Sequence, residues 1–355
     1  MKCVSIIQIS VGGPMKDIKV LGIDLAKDVF QLHGTNANGK CVLRKRLSRA
    51  KLPVFVAQLK SCLIGMEACL GAHYWARTFE KMGHTVKIMA PKFVKPYIMS
   101  NKNDPNDTRG IAEAVTRPDM KFVAVKSIEQ QDVLLLHRAR ELALKQKTAQ
   151  ANQIRGLLIE FGITIPQGFS KLKTLLQILE DNQERLTERS IIVFTRLYEQ
   201  FKNYDGEVEF YDQKIAQTID QNDICKEIMK IEGVGPITAS AFVATIGDAK
   251  VFKRGREVSA WIGLVPKQHS SGNTIRLSGV GKRGDSYLRK LLVHGARSVI
   301  NNCEKKTDKR NKWIADKKHR LGYNKAAVAL ANKNARIIWA IMATGECYRR
   351  STIAA

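Results

Sequence analysis

The chain has 355 residues, of which 59 are Lys or Arg and 33 are Asp or Glu, so its formal net charge is +26. A hydrophobic fraction of 44% excludes a mainly disordered or fibrous protein, and no apolar run reaches the roughly 18 residues of a membrane span. Residues 251–350 carry 23 Lys or Arg against 6 Asp or Glu and mix glycine turns, aromatics and apolar helix faces. This folded, basic segment favours nucleic acid over a membrane surface as the partner.

The cysteines and the N-terminal residues bear on the compartment. The seven cysteines form no C-x-x-C pair, so the sequence predicts neither a disulfide framework nor a zinc site, as in a reducing cytoplasm. Residues 1–16 lack the features of a signal peptide and are predicted to be a disordered extension, with Met1 or Met15 as the start. We expect a cytoplasmic protein that associates with the nucleoid when bound to DNA.

Residues 17–125 alternate strand-like and helix-like patterns. The predicted elements are, in order, strands over 18–24, 29–33 and 40–47, a helix capped by Ser48, strand 62–67, helix 71–82, strand 85–89, and helices after Pro91 and Asp107. Short turns between the first three strands predict an antiparallel meander. A meander followed by alternating helices and strands is the order of the RNase H-like fold, so the predicted class is α/β.

Residues 126–222 are predicted to form a long helical arm. Apolar residues recur at three- and four-residue spacing through two stretches, which are separated by a break near Pro166. Leu135, Ala139 and Leu142 begin the first stripe. The two helices form either a hairpin within one chain or a coiled coil between protomers, and the sequence leaves a spacer and a dimerisation arm equally open.

Residues 223–350 are predicted to form a mainly helical domain with Gly-rich loops within 264–285. Gly233 and Gly235 lie between two apolar helices, the second of which should begin at Pro236. This pattern resembles a helix-hairpin-helix, which holds backbone phosphates on free N–H groups and reads no sequence. The segment lacks the Lys-Ser/Thr of a P-loop, so nucleotide hydrolysis is not supported.

Four acidic residues mark a candidate metal site. Asp24 and Glu67 each end an apolar strand, whereas Asp104 and Asp107 lie three apart where a helix should begin. If the two strands are neighbours, all four carboxylates converge at one edge of the sheet, where a cation must offset their repulsion. Oxygen ligands suit Mg²⁺ or Mn²⁺, and two such ions about 4 Å apart promote displacement at phosphorus. Each acid alone is equally well explained as a turn or helix cap.

Two serines lie in a basic, glycine-bounded segment. Ser270 and Ser271 are surrounded in the sequence by Lys267, His269, Arg276, Lys282 and Arg283. These cations would hold a phosphodiester and stabilise its developing charge during attack by a serine hydroxyl. The spacing alone instead favours a loop that only contacts the DNA backbone. His269 is a candidate base or phosphate contact, and no Ser-His-Asp triad is present in the pattern.

Several motifs occur together in a fixed order. They are Gly22-Ile-Asp24-x-Ala-Lys27, Glu67-Ala68, Asn103-Asp104-x-x-Asp107, the Ile231–Thr238 hairpin, and Gly263-Leu-x-Pro followed by Ser271-Gly272. With them the chain, from about residue 17 to residue 345, resembles transposases of the insertion sequence one-hundred-and-ten family, the bridge-RNA-guided recombinases. One small departure is Cys69-Leu70, which stands where that family usually has a Thr-Gly-type stretch.

The resemblance implies a RuvC-like DEDD domain over 17–125, a coiled-coil arm over 126–222, and a C-terminal transposase domain over 223–350. It implies that Asp24, Glu67, Asp104 and Asp107 bind Mg²⁺ and that Ser271 attacks DNA to form a phosphoserine link. The acid domain of one protomer would meet the serine domain of another in a homodimer or a dimer of dimers. A structured non-coding bridge RNA would pair with donor and target DNA, so the protein would need only to hold backbones.

Two other functions would use the same residues. A hydrolytic RuvC-like junction nuclease would use the acids with water, without a protein–DNA link. A non-catalytic helix-hairpin-helix protein would bind DNA on a degenerate nuclease fold. A covalent protein–DNA adduct that depends on Ser271 would argue against the hydrolytic nuclease. Unchanged biological activity of an Asp24→Ala variant would support the non-catalytic binding protein.

Overall fold

The computed structural model describes residues 17–98, 104–272, 274–281 and 284–349. The predicted extension at 1–16 and the predicted DNA contacts Lys282 and Arg283 lie outside the described residues, as does the side chain of Asp104. The chain divides into two compact units, Met1–Ser127 and Ile128–Ala355. Within the described ranges, none of the helices combines the length and the apolar character that a membrane crossing requires.

The first unit contains a six-stranded sheet. Its strands are β1 (Val20–Asp24), β2 (Val29–Thr35), β3 (Cys41–Ser48), β4 (Leu63–Glu67), β5 (Thr85–Met89) and β6 (Phe122–Val123). Its helices are α1 (Lys51–Ala57), α2 (Ala72–Lys81), α3 (Pro91–Val94) and α4 (Asp104–Ala114). The strand order is β3-β2-β1-β4-β5-β6, with β4 parallel to both β1 and β5 and the other pairs antiparallel. This confirms the α/β class and the meander, in the order expected of an RNase H-like domain.

The core of the sheet lies at its two central strands. Leu21 and Ile23 in β1, and Ile64 and Met66 in β4, have no solvent exposure. Strands that are buried on both faces read as continuous apolar runs, which is why the sequence marks them clearly. One prediction is wrong: Ser48 ends β3 instead of capping α1, which has no side-chain cap.

Two paired glycines let α4 lie directly on the sheet. Gly22 and Gly65 are register partners in β1 and β4. A Cβ on Gly22 would lie 2.5 Å from the carbonyl oxygen of Thr108, and one on Gly65 would lie 2.8 Å from Cβ of Val115. Both distances are shorter than van der Waals contact, so this helix can reach these two strands only where side chains are missing.

The second unit is mainly helical. Its helices are α5 (Ile128–Ile159), α6 (Phe169–Leu172), α7 (Leu175–Glu180), α8 (Glu188–Asp220), α9 (Asp223–Met229), α10 (Pro236–Ile246), α11 (Gly255–Ile262), α12 (Ser286–Ile300), α13 (Lys309–Leu321) and α14 (Tyr323–Thr344). Two strands, β7 (Pro266–Ser271) and β8 (Thr274–Val280), form a separate antiparallel ladder. The mainly helical character is confirmed, and α5 and α8 are long helices on either side of the break near Pro166, although the short helices α6 and α7 precede α8 in the second predicted stretch.

The long helices α5 and α8 pack against each other within one chain. Arg140 forms an ion pair with Asp212, and Lys147 forms one with Asp205. Because the later residue of α5 pairs with the earlier residue of α8, the helices run antiparallel. The arm is therefore a hairpin within the chain, one of the two arrangements that the sequence left open.

The apolar stripe at the start of α5 predicts the helix but not its buried face. Leu135 and Leu142 are 64% and 57% exposed, whereas His137 is 1% exposed. The buried imidazole has a hydrogen-bonding partner on each ring nitrogen: Nδ1 lies 3.0 Å from the Tyr287 hydroxyl and Nε2 lies 3.0 Å from Ser240 Oγ. A polar side chain with both groups satisfied can occupy a buried position that periodicity assigns to an apolar one.

Candidate active site and nucleic-acid interface

Two of the predicted acids leave the sheet side by side. Asp24 is the last residue of β1, and Glu67 is the last residue of β4. Ile23 and Met66, the residues before them, are register partners in the parallel pair. Neighbouring strands lie about 4.8 Å apart, so the two acidic residues emerge next to each other at one edge of the sheet, as the sequence predicts.

The third acid reaches the same face through α4. Successive residues of a strand alternate between faces, so Asp24 shares a face with Gly22, whose missing side chain accommodates α4. Glu67 shares a face with Gly65 in the same way. Asp107 directly precedes Thr108, which contacts Gly22, so α4 brings Asp107 to the side of the sheet that holds the other two acids.

The carboxylate of Asp107 supports a cation at this edge. Its Oδ1 atom is buried and has no hydrogen-bond partner among the described residues. A buried carboxylate oxygen without a partner is costly, and a cation would compensate it. Among the described side chains, which leave out that of Asp104, no three acidic, histidine or cysteine groups are close enough to hold a metal by themselves. The carboxylates of Asp24, Glu67 and Asp107 nevertheless fit a divalent ion, because they line one edge of the sheet with oxygen atoms. A cation bound there would offset the repulsion between their negative charges.

The pKa of a cysteine near the acids responds to their negative charges. Desolvation and, after it, the negative charges of Asp24 and Glu67 together raise the pKa of the Cys69 thiol to about 11. The thiol is therefore neutral at physiological pH, and its Sγ lies 3.9 Å from the carbonyl oxygen of Leu25. Both carboxylates act on this one side chain, which agrees with their emergence side by side.

The segment that carries the two serines is a β-hairpin, not the predicted loop. β7 and β8 pair in antiparallel register, and every residue of β7 is exposed. Gly272, in the turn, has a φ of +54°, which favours glycine. The sequence contained a signal that the prediction missed: a two-residue Gly-Asn link precedes Thr274 and Ile275, both good strand formers.

The two serines lie on opposite faces of this hairpin. Ser271 pairs with Thr274 and His269 pairs with Arg276, so strand alternation puts Ser271, His269 and Arg276 on one face. Ser270 pairs with Ile275 on the other face, and its Oγ accepts a hydrogen bond of 3.0 Å from Gln268. That second face also carries the exposed apolar side chains of Ile275 and Leu277.

Side chains of α12 and α14 anchor the base of the hairpin. Arg289 Nη1 donates a hydrogen bond of 2.8 Å to the carbonyl oxygen of Ile262, at the end of α11. Asn332 Nδ2 donates one of 3.1 Å to the carbonyl oxygen of Leu264. Lys267, a predicted phosphate contact, lies on β7, and Arg276 lies on β8. Both residues are exposed to solvent on the hairpin.

The Gly-x-Gly turn joins α9 to α10 as the sequence predicts. Gly233 has a φ of +83°, and a Cβ there would lie 2.6 Å from the carbonyl oxygen of Gly295. A Cβ on Gly235 would contact nothing within 4 Å, and α10 begins at Pro236. The turn is therefore packed at Gly233 and open at Gly235, where the first N–H groups of α10 lie.

Two buried side chains, neither of them indicated by the sequence, hold this turn in place by hydrogen bonds. Arg310 Nη2 and Asn334 Nδ2 each donate a hydrogen bond of 3.3 Å to the carbonyl oxygen of Glu232. Arg310 also donates to Asn334 Oδ1 at 2.7 Å. These residues are 3% and 0% exposed, and they lie far from the turn in the sequence, so no local pattern could reveal them.

Comparisons with known proteins agree over most of the chain. Residues 225–312 match the transposase IS116/IS110/IS902 family, and residues 21–163 match the DEDD transposase family of the IS110 type. The chain is 46% identical to the transposase for insertion sequence element IS1111A of Coxiella burnetii, over 94% of this chain and 92% of that protein. It is 43% identical to a probable family 20 transposase of Pseudomonas aeruginosa, over 93% and 98%. It is 35% identical to the transposase for IS1328 of Yersinia enterocolitica, over 95% and 100%.

Proposed function

The chain belongs to the IS110 family of insertion-sequence transposases, and we propose that it cuts and rejoins DNA through a covalent phosphoserine link at Ser271. The observation that carries this proposal is the polar face of the β7–β8 hairpin. Ser271 is exposed and shares this face with His269 and Arg276, whereas Ser270 lies on the other face with Gln268, Ile275 and Leu277. Ser271 is thus the serine of the pair that is placed among groups able to bind a phosphodiester.

In the proposed step, Ser271 Oγ forms a bond to phosphorus as its hydroxyl proton leaves, and the bond from phosphorus to one deoxyribose oxygen breaks. His269 lies on the same face, where it would receive the proton and return it to the departing deoxyribose oxygen, which leaves as a hydroxyl. Arg276 is placed to stabilise the charge that develops on the phosphoryl oxygens. Attack by a deoxyribose hydroxyl of a second DNA end reverses these changes, which rejoins DNA without an external energy source.

Asp24, Glu67, Asp104 and Asp107 would hold one or two divalent ions, Mg²⁺ or Mn²⁺, at the sheet edge. Such ions stabilise negative charge on the oxygens around a reacting phosphorus. The buried Oδ1 of Asp107, which has no hydrogen-bond partner within the described part of the chain, and the adjacent ends of β1 and β4 support this assignment. We expect Asp107→Asn to abolish both catalysis and the rise in melting temperature on addition of Mg²⁺, whereas Asp28→Asn, an exposed control, should change neither.

The protein would hold DNA and a structured bridge RNA mainly by their backbones. The +26 net charge and the open turn at Gly235 support this interpretation. Lys267 and Arg276, on the exposed hairpin, are proposed backbone contacts, as are Lys282 and Arg283 beyond it. Choice of donor and target would then depend on RNA pairing, so recombination should require RNA transcribed from the non-coding DNA next to the gene.

Adduct trapping tests the serine. Wild-type protein is incubated with Mg²⁺, bridge RNA and end-labelled donor and target DNA, then denatured and resolved by electrophoresis. We expect labelled DNA attached to wild type and to Ser270→Ala, and a loss of at least about a thousandfold in Ser271→Ala. Cleavage that persists in Ser271→Ala would instead establish the hydrolytic nuclease. Binding without cleavage or adduct in wild type would establish the non-catalytic DNA-binding protein.

Mixing two inactive variants tests assembly as a homodimer or a dimer of dimers. If the acids of one protomer act with the serine of another, a mixture of Asp24→Asn and Ser271→Ala contains sites with both groups intact. We then expect recombination from the mixture and none from either variant alone. An inactive mixture, with hetero-oligomers shown by differential tags, would place the acids and the serine of each site in one protomer.

A further inference from the structure

The second unit contains a concave, basic site that the proposed chemistry does not use. It lies among α11, α13 and α14 and has a volume of about 760 Å³. We define the basic groove by Arg254, Arg256, Trp313, Lys333 and Arg336, which line it. No residue of β7 or β8 is among its lining residues, so the groove is separate from the serine hairpin.

The positive charge of the groove exceeds the negative charge among its described lining residues. Within the described part of the chain, Arg254, Arg256, Lys333 and Arg336 form no ion pair with a carboxylate. Glu346 is the single carboxylate among the described lining residues. These four cations and Arg349, which also lines the cavity, repel one another, and an anion within it would relieve that repulsion.

Lys333 shows this repulsion most clearly. Its Nζ lies 4.2 Å from the centroid of the Trp313 ring, so a cation–π contact holds the ammonium at the wall of the groove. Burial lowers the pKa of Lys333, and the positive charges of Arg310, Arg336 and Lys309 lower it further. Burial and the neighbouring cations therefore disfavour the charged form of Lys333, and a bound phosphate would stabilise that form.

Close packing makes the groove a fixed feature of the fold. Gly255 lets the first turn of α11 approach α14, because a Cβ there would lie 3.1 Å from both the Arg336 backbone and the Trp339 ring. Trp339 Nε1 donates a hydrogen bond of 3.0 Å to the carbonyl oxygen of Ala249. The elements that carry Arg254, Arg256 and Arg336 are therefore held at this separation before any ligand binds.

We propose that the basic groove binds the phosphodiester backbone of a single strand of nucleic acid. The cations converge inside a concavity with an aromatic wall, which is how proteins follow an unpaired strand. A duplex carries its phosphates on a convex surface and would meet protruding cations better than recessed ones. RNA and DNA share this chemistry. The inference rests on the proposed action on nucleic acid but not on the role of Ser271.

Salt-dependent binding tests the groove in the full-length protein. Fluorescence anisotropy is measured with labelled RNA and DNA single strands of about 12 nucleotides, and with the DNA duplex of the same sequence, over a series of salt concentrations. The test variants are Lys333→Gln/Arg336→Gln and Arg254→Gln/Arg256→Gln. The control, Lys145→Gln/Arg189→Gln, removes two exposed charges from the helical arm. The two test variants change different helices, so a folding defect in one leaves the other informative.

For single strands, each test variant should weaken binding about tenfold or more and reduce the slope of log K against log salt by about 1.4. Duplex binding should change no more than it does in the control. The probe with the larger loss, RNA or DNA, identifies the strand that the groove holds. Equal losses for duplex and single strand, or losses matched by the control, would overturn the proposal. Groove-dependent binding without any serine adduct would overturn the serine proposal alone.

Discussion

The acidic edge of the sheet and the serine hairpin position their chemistry in opposite ways. Asp24 and Glu67 end strands whose central residues are buried, and α4 lies directly on the glycines of these strands. Ser271 lies on a two-stranded ladder with every residue of its strand exposed. The acids are therefore placed by tight packing within the unit, whereas the serine is placed by an exposed ladder whose base is anchored by hydrogen bonds.

This difference predicts different responses to mutation. Near the acids, adding or removing a single carbon should disturb the fold, because the interior is packed at close to crystal density. On the hairpin, substitutions should leave the unfolding free energy almost unchanged and should act on chemistry alone. The following predictions test this contrast, from the largest expected effect to the smallest.

Gly22→Ala should destabilise the protein by at least about 3 kcal/mol, because its Cβ would lie 2.5 Å from the carbonyl oxygen of Thr108 and would force α4 off the sheet. Urea denaturation of the variant measures this change. Gly156→Ala, in open space on α5, is the matched control and should raise stability by about 0.5–1 kcal/mol. Equal urea midpoints for Gly22→Ala and wild type would show that α4 is not tightly seated.

His137 should make the stability of the second unit depend on pH. Burial lowers the pKa of its imidazole from 6.5 to about 4, and its two nitrogens contact the hydroxyls of Tyr287 and Ser240. The unfolded chain takes up this proton near pH 6.5 and the folded chain only near pH 4. The stabilisation is therefore complete above pH 6.5 and is lost as the pH falls toward 4, by roughly 3 kcal/mol.

The measurement for His137 is the difference in unfolding free energy between wild type and His137→Gln at several pH values. This difference should shrink as the pH falls from 6.5 to 4, since only wild type carries the buried imidazole. His294→Gln removes an exposed histidine and should follow the wild-type curve. A difference that does not vary with pH would mean that His137 titrates alike in the folded and unfolded chains.

Ile275→Thr/Leu277→Thr should change the unfolding free energy by less than about 0.5 kcal/mol, because these side chains are 71% and 62% exposed. Leu264→Ala, at the 2%-exposed base of the hairpin, should cost about 2–5 kcal/mol in the same urea titration. A loss above about 1 kcal/mol in the double variant would show that the hairpin packs against its own chain and would remove the contrast with the sheet edge.

Much of the candidate site can be predicted from the sequence. The apolar runs before Asp24 and Glu67 predict two strands that end in acids, and the structure places those ends side by side. Gly233, Gly235 and Pro236 predict the turn between two helices. In each case a short local pattern was enough, because strand burial, glycine conformation and the proline at a helix start leave signals within a few residues.

The sequence determined the alternation of strands and helices, the acids at strand ends and the serines in a basic segment, because these depend on local periodicity and turn chemistry. Only the tertiary structure decided that His137 is buried where Leu135 is exposed and that Lys333 joins Arg254 in one groove. Burial and electrostatic environment depend on which distant elements pack together, so no local pattern records them.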